Sequence, residues 1–187
     1  MAKRLLDFGL GLFAFLVLSP VMLLISFLVL VSSSGPILHW SSRVGKKNKI
    51  FKMPKFRTMR VGTPAVATDL LSDPGQWLTP IGSFLRKTSL DELPQLWSII
   101  MGDMSVVGPR PALFNQYDLI RLRTKAGVEI LLPGLTGWAQ VQGRDNLSLA
   151  EKLLLDIEYL KKRSFLFDLY IIAKTFWRIL DLRSVSH

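Results

Sequence analysis

From Phe8 to Val31 the chain runs for 24 residues without a charge, and nowhere else is the apolar pattern so unbroken. About 20 apolar residues are enough for a helix to cross the hydrocarbon core of a bilayer, so the run predicts a membrane helix. It is longer than the apolar region of a signal peptide, and VSSSG at residues 31–35 leads into an aromatic and basic stretch rather than a cleavage pattern. Ser19-Pro20 falls near its middle. Proline removes a backbone donor and crowds the preceding turn, which bends a helix, while the serine hydroxyl can satisfy a carbonyl freed by the break. Lys3 and Arg4 precede the run; Arg43, Lys46, Lys47, Lys49, Lys52, Lys55, Arg57 and Arg60 follow it, with no acid before Asp69. Positive charge marks the cytoplasmic side, so a straight span strands one cluster on the wrong side. A re-entrant helix, kinked at Ser19 and Pro20 and leaving by the face it entered, accommodates both. A single-pass anchor with a tolerated proline is the alternative.

Beyond the run the periodicity changes repeatedly. Residues 43–60 interleave eight basic side chains with Ile50, Phe51, Met53 and Phe56, and alternation around Pro54 predicts an extended segment with Lys55 and Arg57 on one face. Residues 61–80 are rich in threonine, alanine, aspartate, proline and glycine and read as a surface loop. Ile81–Lys87 reads as a short amphipathic turn. Residues 148–162 open with Ser148 and Glu151, a capping-box spacing, and place Leu153, Ile157 and Leu160 on one helical face. Residues 165–182 are apolar around most of a helix, with Asp168, Thr175 and Arg178 as a narrow polar stripe. The charges are too frequent for a second span, which leaves an interfacial helix or a buried core helix. The expected fold is α/β but predominantly helical: residues 1–40 form the membrane helix and its exit, and residues 41–187 a small catalytic domain at the cytoplasmic face with amphipathic carboxyl-terminal helices.

Charge and composition narrow the chemistry. With 24 basic against 14 acidic residues the net charge is +10, which calls for an acidic partner: nucleic acid, anionic lipid or a phosphorylated substrate. A basic patch beside a long apolar run suits lipid or phosphate, and no nucleic-acid-binding module is present in the sequence. There is no cysteine, and His39 and His187 are the only imidazoles. Proton transfer or covalent catalysis therefore falls to carboxylates, hydroxyls, lysine or tyrosine.

In KMPKFRTM, Lys55 and Arg57 beside the Thr58 hydroxyl make a candidate phosphate-binding edge. In KTSLDELPQLWSIIMGDMSVVGPRP, residues 87–111, two readings of Asp91 and Glu92 stand side by side. Ser89 and Glu92 have capping-box spacing, so both acids can be parts of a helix start. Alternatively Asp91, at the positive end of that helix, is kept ionised as a nucleophile or metal ligand requires. Pro109 and Pro111 stiffen the backbone on both sides of Arg110, which presents its guanidinium for paired phosphate contacts. Arg86, five residues before Asp91, is a second candidate or a plain surface arginine.

Taken in order, Ser19-Pro20, KFRTM, SLDELPQL, GDMSVVGPRP, PGLTGWAQVQGR and the FDLxIxxxT pattern from Phe167 resemble the monotopic phosphoglycosyl transferases of the bacterial sugar transferase family over nearly the whole chain. The resemblance implies transfer of a sugar 1-phosphate from a UDP-sugar to polyprenol phosphate of the undecaprenol type, with release of UMP, as the initiating step of bacterial glycan assembly. It implies Mg2+, a re-entrant helix and a place at the cytoplasmic face of the bacterial inner membrane. It also implies Asp91 as the nucleophile of a covalent phosphosugar intermediate, with Glu92 activating the acceptor or supporting the site. In a one-displacement rival Asp91 only holds the metal. Arg86, Arg110, Lys55, Arg57 and Thr58 are placed by their motifs to hold phosphates, and Thr136, Gln140 and Arg144 become candidates for the nucleotide or phosphate side. The chain is expected to carry none of the additional carboxyl-terminal modules of some larger relatives. Neither the sugar nor the oligomeric state is legible. The competing class is a non-catalytic basic membrane adaptor that binds anionic lipid.

Overall fold

In the computed structural model, which describes residues 2–64, 73–143 and 147–180, the apolar run lies inside one helix, α1 (Ala2–Ser32). By length and composition it is the one helix among the described residues able to cross a membrane. Pro20 has no N–H for the Leu16 carbonyl four residues back, and the Ser19 hydroxyl donates to that carbonyl at 2.7 Å. The ladder is thus repaired at the residue where it fails.

α1 does not stand apart from the rest of the protein. Arg4, Asp7, Gly11, Phe15, Leu18, Met22, Ile25 and Val29 recur every three or four residues and form the least exposed stripe of the helix. Its middle packs with Met53, Leu96, Ile99 and Met104, and its last turns with Phe56 and Leu85. Burying a side chain such as Ile25 or Val29 contributes about 1.5–3 kcal/mol, so these contacts hold the helix along the domain. The opposite face, including Leu5, Phe13, Leu16 and Leu23, is exposed.

The chain then forms an antiparallel hairpin, β1 (Leu38–Val44) and β2 (Ile50–Phe56), in register from Leu38 opposite Phe56 to Val44 opposite Ile50. The interval expected to be loop contains a helical turn, α2 (Pro74–Trp77), capped by the Asp73 side chain. Residues 65–72 of that interval lie outside the described residues. Next come α3 (Gly82–Lys87), a 3-10 turn at Leu90–Glu92 and α4 (Gln95–Met101). A short parallel pair, β3 (Ser105–Val107) and β4 (Gly134–Thr136), is separated in sequence by α5 (Tyr117–Lys125). α6 (Trp138–Gln142), α7 (Leu149–Lys162) and α8 (Phe165–Leu180) close the described chain. The described residues are mostly helical, with two two-stranded sheets among them.

α7 starts with the expected capping box: Ser148 Oγ accepts from Glu151 N–H, and the Glu151 carboxylate accepts from Ser148 N–H at 2.8 Å. Its most buried positions are Asp156 and Tyr159 rather than Leu153, Ile157 and Leu160, because an ion pair and a buried hydroxyl occupy the inward face. α8 is inverted relative to a soluble amphipathic helix. Its polar stripe faces the protein: Asp168 accepts from Tyr159, Thr175 bonds Thr136, and Arg178 donates to the Gln140 carbonyl. Leu166 and Trp177 are 74% and 75% exposed on the outside.

Candidate active site

The carboxylate pair sits where the hairpin, the 3-10 turn and the segment after β3 converge. Ser89 takes a left-handed conformation, φ 58°, and makes no side-chain cap. The expected capping box is therefore absent: Glu92 N–H bonds the Ser89 carbonyl at 3.1 Å, and the Glu92 side chain turns to Lys55 instead. α4 begins only at Gln95, so Asp91 lies before the helix, in the 3-10 turn, and its charge is governed by burial and neighbours. Asp91 is 6% exposed. Burial pushes its carboxyl above the ordinary range; the nearby Lys55, Arg86 and Arg110 oppose that shift and Glu92 reinforces it. The expectation of a carboxylate kept comfortably ionised by a helix is corrected accordingly.

Lys55 Nζ lies 2.7 Å from Glu92 Oε1 and 3.7 Å from Asp91 Oδ2, a cation shared by both acids. Arg110 Nη2 reaches the same Glu92 oxygen at 3.3 Å. Arg86 stands near Asp91, and its Nε donates to Thr58 Oγ1 at 3.0 Å. Thr58, buried, is thus the hydroxyl that orients Arg86. A narrow cleft opens beside this set, lined by Lys55, Glu92, Gln95, Arg110 and Gly134 and also by Arg43.

The loop bearing Arg110 is rigid for reasons beyond its two prolines. Gly108 N–H bonds the Thr136 carbonyl and Gly134 N–H bonds the Pro109 carbonyl, each at 2.9 Å. A Cβ on Gly108 would collide with the Leu132 carbonyl, and one on Gly134 with the Gly108 backbone. The glycines of GPRP and PGLTG are therefore one feature: two backbones packed against each other. The Arg110 carbonyl accepts from Arg123 Nη1 at 2.8 Å, and Arg123 is itself held by the buried Asp156, with Nη2 at 2.6 Å from Oδ2.

Residues 1–182 match the family model described as bacterial sugar transferase. The chain belongs to this family. It is 40% identical over 190 residues to UDP-glucose:undecaprenyl-phosphate glucose-1-phosphate transferase of Escherichia coli K12, covering 94% of this chain and 39% of that protein. It is 38% identical over 192 residues to the exopolysaccharide production protein ExoY of Sinorhizobium fredii, covering 93% and 83% respectively. It is 36% identical over 178 residues to the uncharacterized sugar transferase EpsL of Bacillus subtilis, covering 95% and 87%. The chain thus spans about four-tenths of the length of the long relatives and more than four-fifths of the short ones.

For this sugar transferase family member, Asp91, Glu92, Lys55, Arg86, Thr58 and Arg110 come together as the motifs suggest. Arg57 does not. Its buried guanidinium donates to the carbonyls of Ser33, Ser34 and Gly35, at the exit of α1. Instead of lining the cleft as its expected phosphate role requires, Arg57, the residue that follows β2, fastens the exit of α1. Thr136 bonds Thr175 at 2.7 Å, and Gln140 Nε2 donates to the Leu135 carbonyl at 3.0 Å. Neither lines the cleft; both tie β4 and α6 to their surroundings. Arg144 lies outside the described residues. Two residues were not singled out in the sequence: Arg43, absorbed into the polybasic segment, and Asp156, on the helix that follows Ser148. The alternation that paired Lys55 with its strand neighbours could have found Arg43, which shares a hairpin face with Ser41 and Met53.

Proposed function

We propose that this chain transfers a sugar 1-phosphate from a UDP-sugar to a polyprenol phosphate of the undecaprenol type, releasing UMP and leaving a polyprenol diphosphate sugar. The observation that carries the reading is the buried Asp91 beside Glu92, ringed by Lys55, Arg86 and Arg110 in a family whose relatives include an enzyme named for this transfer. An Asp91 oxygen attacks the phosphorus that bears the sugar, and the bond from that phosphorus to the UMP oxygen breaks. An oxygen of polyprenol phosphate then attacks the same phosphorus and breaks the aspartyl bond, restoring the carboxylate. Burial serves this step, because a carboxylate stripped of water is the stronger nucleophile once the cations offset the approaching negative charge. Lys55 and Arg110 hold Glu92 beside it, and Arg86 is aimed by Thr58.

Among the described residues no cluster of three His, Asp or Glu side chains could cage a metal ion. The adjacent carboxylates instead fit magnesium bound through one or two protein oxygens with substrate phosphates supplying others, which is how this ion is often held. When bound, it would neutralise charge on the diphosphate. The membrane reading is monotopic: α1 contacts the domain from Lys3 to Val29, the exposed apolar faces of α1 and α8 supply the surface that enters lipid, and the site opens at the cytoplasmic face of the inner membrane.

The test is turnover with UDP-sugars carrying a labelled sugar phosphate. Quenching before acceptor is added leaves label on the protein, and Asp91→Asn abolishes both the label and UMP release. UMP release by Asp91→Asn overturns the assignment, and turnover without any trapped label sinks the covalent route.

A further inference from the structure

We propose that Arg43 completes a subsite for a phosphate monoester on the Glu92 side of the cleft, together with Arg110 and Lys55. This deepens the function proposed above and rests on it for the identity of the natural phosphates.

Arg43 is held firmly, by its backbone and by its side chain. Its backbone lies in the middle of three segments: it pairs with Phe51 of β2 on one side and bridges to Leu113 on the other, where Val44 N–H bonds the Ala112 carbonyl at 2.9 Å. Its side chain is fixed as well. Nε donates to Ser41 Oγ at 3.0 Å and Nη1 to the Pro111 carbonyl at 3.1 Å. That leaves Nη2, which carries no hydrogen bond among the described residues, on a guanidinium that lines the cleft with Lys55, Glu92 and Arg110.

The electrostatics are unfinished in the same place. Three cations face one another across this cleft, with Glu92 bonded to Lys55 and Arg110. Burial and the neighbouring Arg110 push the Arg43 guanidinium down to about 10, with Glu92 opposing. A site that presses two guanidiniums together, at a cost to the ionisation of Arg43, is completed by an anion with several acceptor oxygens, and a phosphate monoester is the anion common to UMP and to polyprenol phosphate. Arginine suits the task better than lysine because two of its donors can be spent on the scaffold while another is still aimed at a ligand.

The experiment uses the full chain in detergent micelles or nanodiscs, with Arg43→Gln and Arg43→Lys. Thermal unfolding is followed with orthophosphate, UMP or a short-chain polyprenol phosphate, and steady-state kinetics give the inhibition constant of UMP and the KM of the acceptor. Loss of one charge-assisted contact weakens binding by about ten- to 100-fold. Arg43→Gln should therefore lose most anion-induced stabilisation and raise the UMP inhibition constant or acceptor KM by that factor, with a smaller change in kcat. Arg43→Lys should recover part of the binding. Loss with UMP alone assigns the subsite to the leaving nucleotide, loss with the lipid phosphate alone to the acceptor, and either supports it. Anion stabilisation of wild-type size in Arg43→Gln overturns it, as does a drop in ligand-free stability in both variants with UMP inhibition and acceptor KM both unchanged, which is what a merely structural arginine gives. The orthophosphate arm needs no turnover, so a failure to release UMP from any UDP-sugar would sink the proposed function and leave this measurement standing.

Discussion

Asp91 binds a proton more tightly in the folded chain than in the unfolded one, because burial outweighs the surrounding cations. Between the ordinary carboxylate range and its raised value, the unfolded chain is ionised while the folded chain still holds the proton, so stability falls as pH rises through that window. Above it the destabilisation is constant, and below the ordinary range it vanishes. Asp91→Asn should accordingly unfold at a higher temperature than wild type near neutral pH, with the gain fading in acid. Thermal melts across pH read this directly; a lower neutral-pH melting temperature for Asp91→Asn refutes it. The same shift acts on catalysis: the acid limb of kcat/KM for the free enzyme should lie above the ordinary aspartate range of about 3.9. A residue that strains the fold and that the proposed reaction requires is where a stability cost is expected at a working site.

At the scale of elements, β3 and β4 show how little regular structure is needed to present Arg110. Each strand has three residues, and their pairing depends on backbone surfaces with no side chain between them. Gly108→Ala puts a methyl group into the Leu132 carbonyl, a clash with backbone that no rotamer relieves. The expected destabilisation is about 2–4 kcal/mol, together with loss of activity as the Arg110 loop shifts; melting temperature and UMP release measure the two effects. Pairing of this kind was only partly legible. The glycines of PGLTG signalled close approach, but the partner backbone, 26 residues earlier at Gly108, carries no periodicity that points to it. Helices were plainer: α7 and α8 begin within a residue of the expected positions because a capping box and Phe165 announce them. Their facing was harder, since Asp156 and Asp168 point inward to Arg123 and Tyr159, where hydropathy alone places carboxylates outside.

Across the whole molecule, the motif residues Asp91, Glu92, Lys55, Arg86 and Arg110 lie near one another because each is carried by a locally specified turn or strand. Arg57 and Arg43 exchanged expectations because hydrogen-bond partners 20 or more residues away decide where a guanidinium goes. The apolar run was legible as one long helix able to cross a membrane by length and composition, but its inward stripe was not, since a helix apolar on nearly all sides hides which face meets protein. That stripe bears on topology. A helix of 31 residues is about 46 Å long, and α1 touches the domain near both ends: Lys3 pairs with Asp168 and bonds the Val107 carbonyl, while Val29 packs with Phe56 and Leu85. No uninterrupted stretch remains to carry one end across the roughly 30 Å hydrocarbon core without pulling the catalytic body in with it. Both ends should therefore face the same compartment. The chain has no cysteine, so single substitutions report cleanly, and Ala2→Cys and Val61→Cys are both at exposed positions on either side of the run. A membrane-impermeant maleimide should label both in inverted inner-membrane vesicles and neither in intact spheroplasts. Labelling of Ala2→Cys from the outside, with Val61→Cys protected, requires a spanning α1 and the separation of its first turns from β3 and α8.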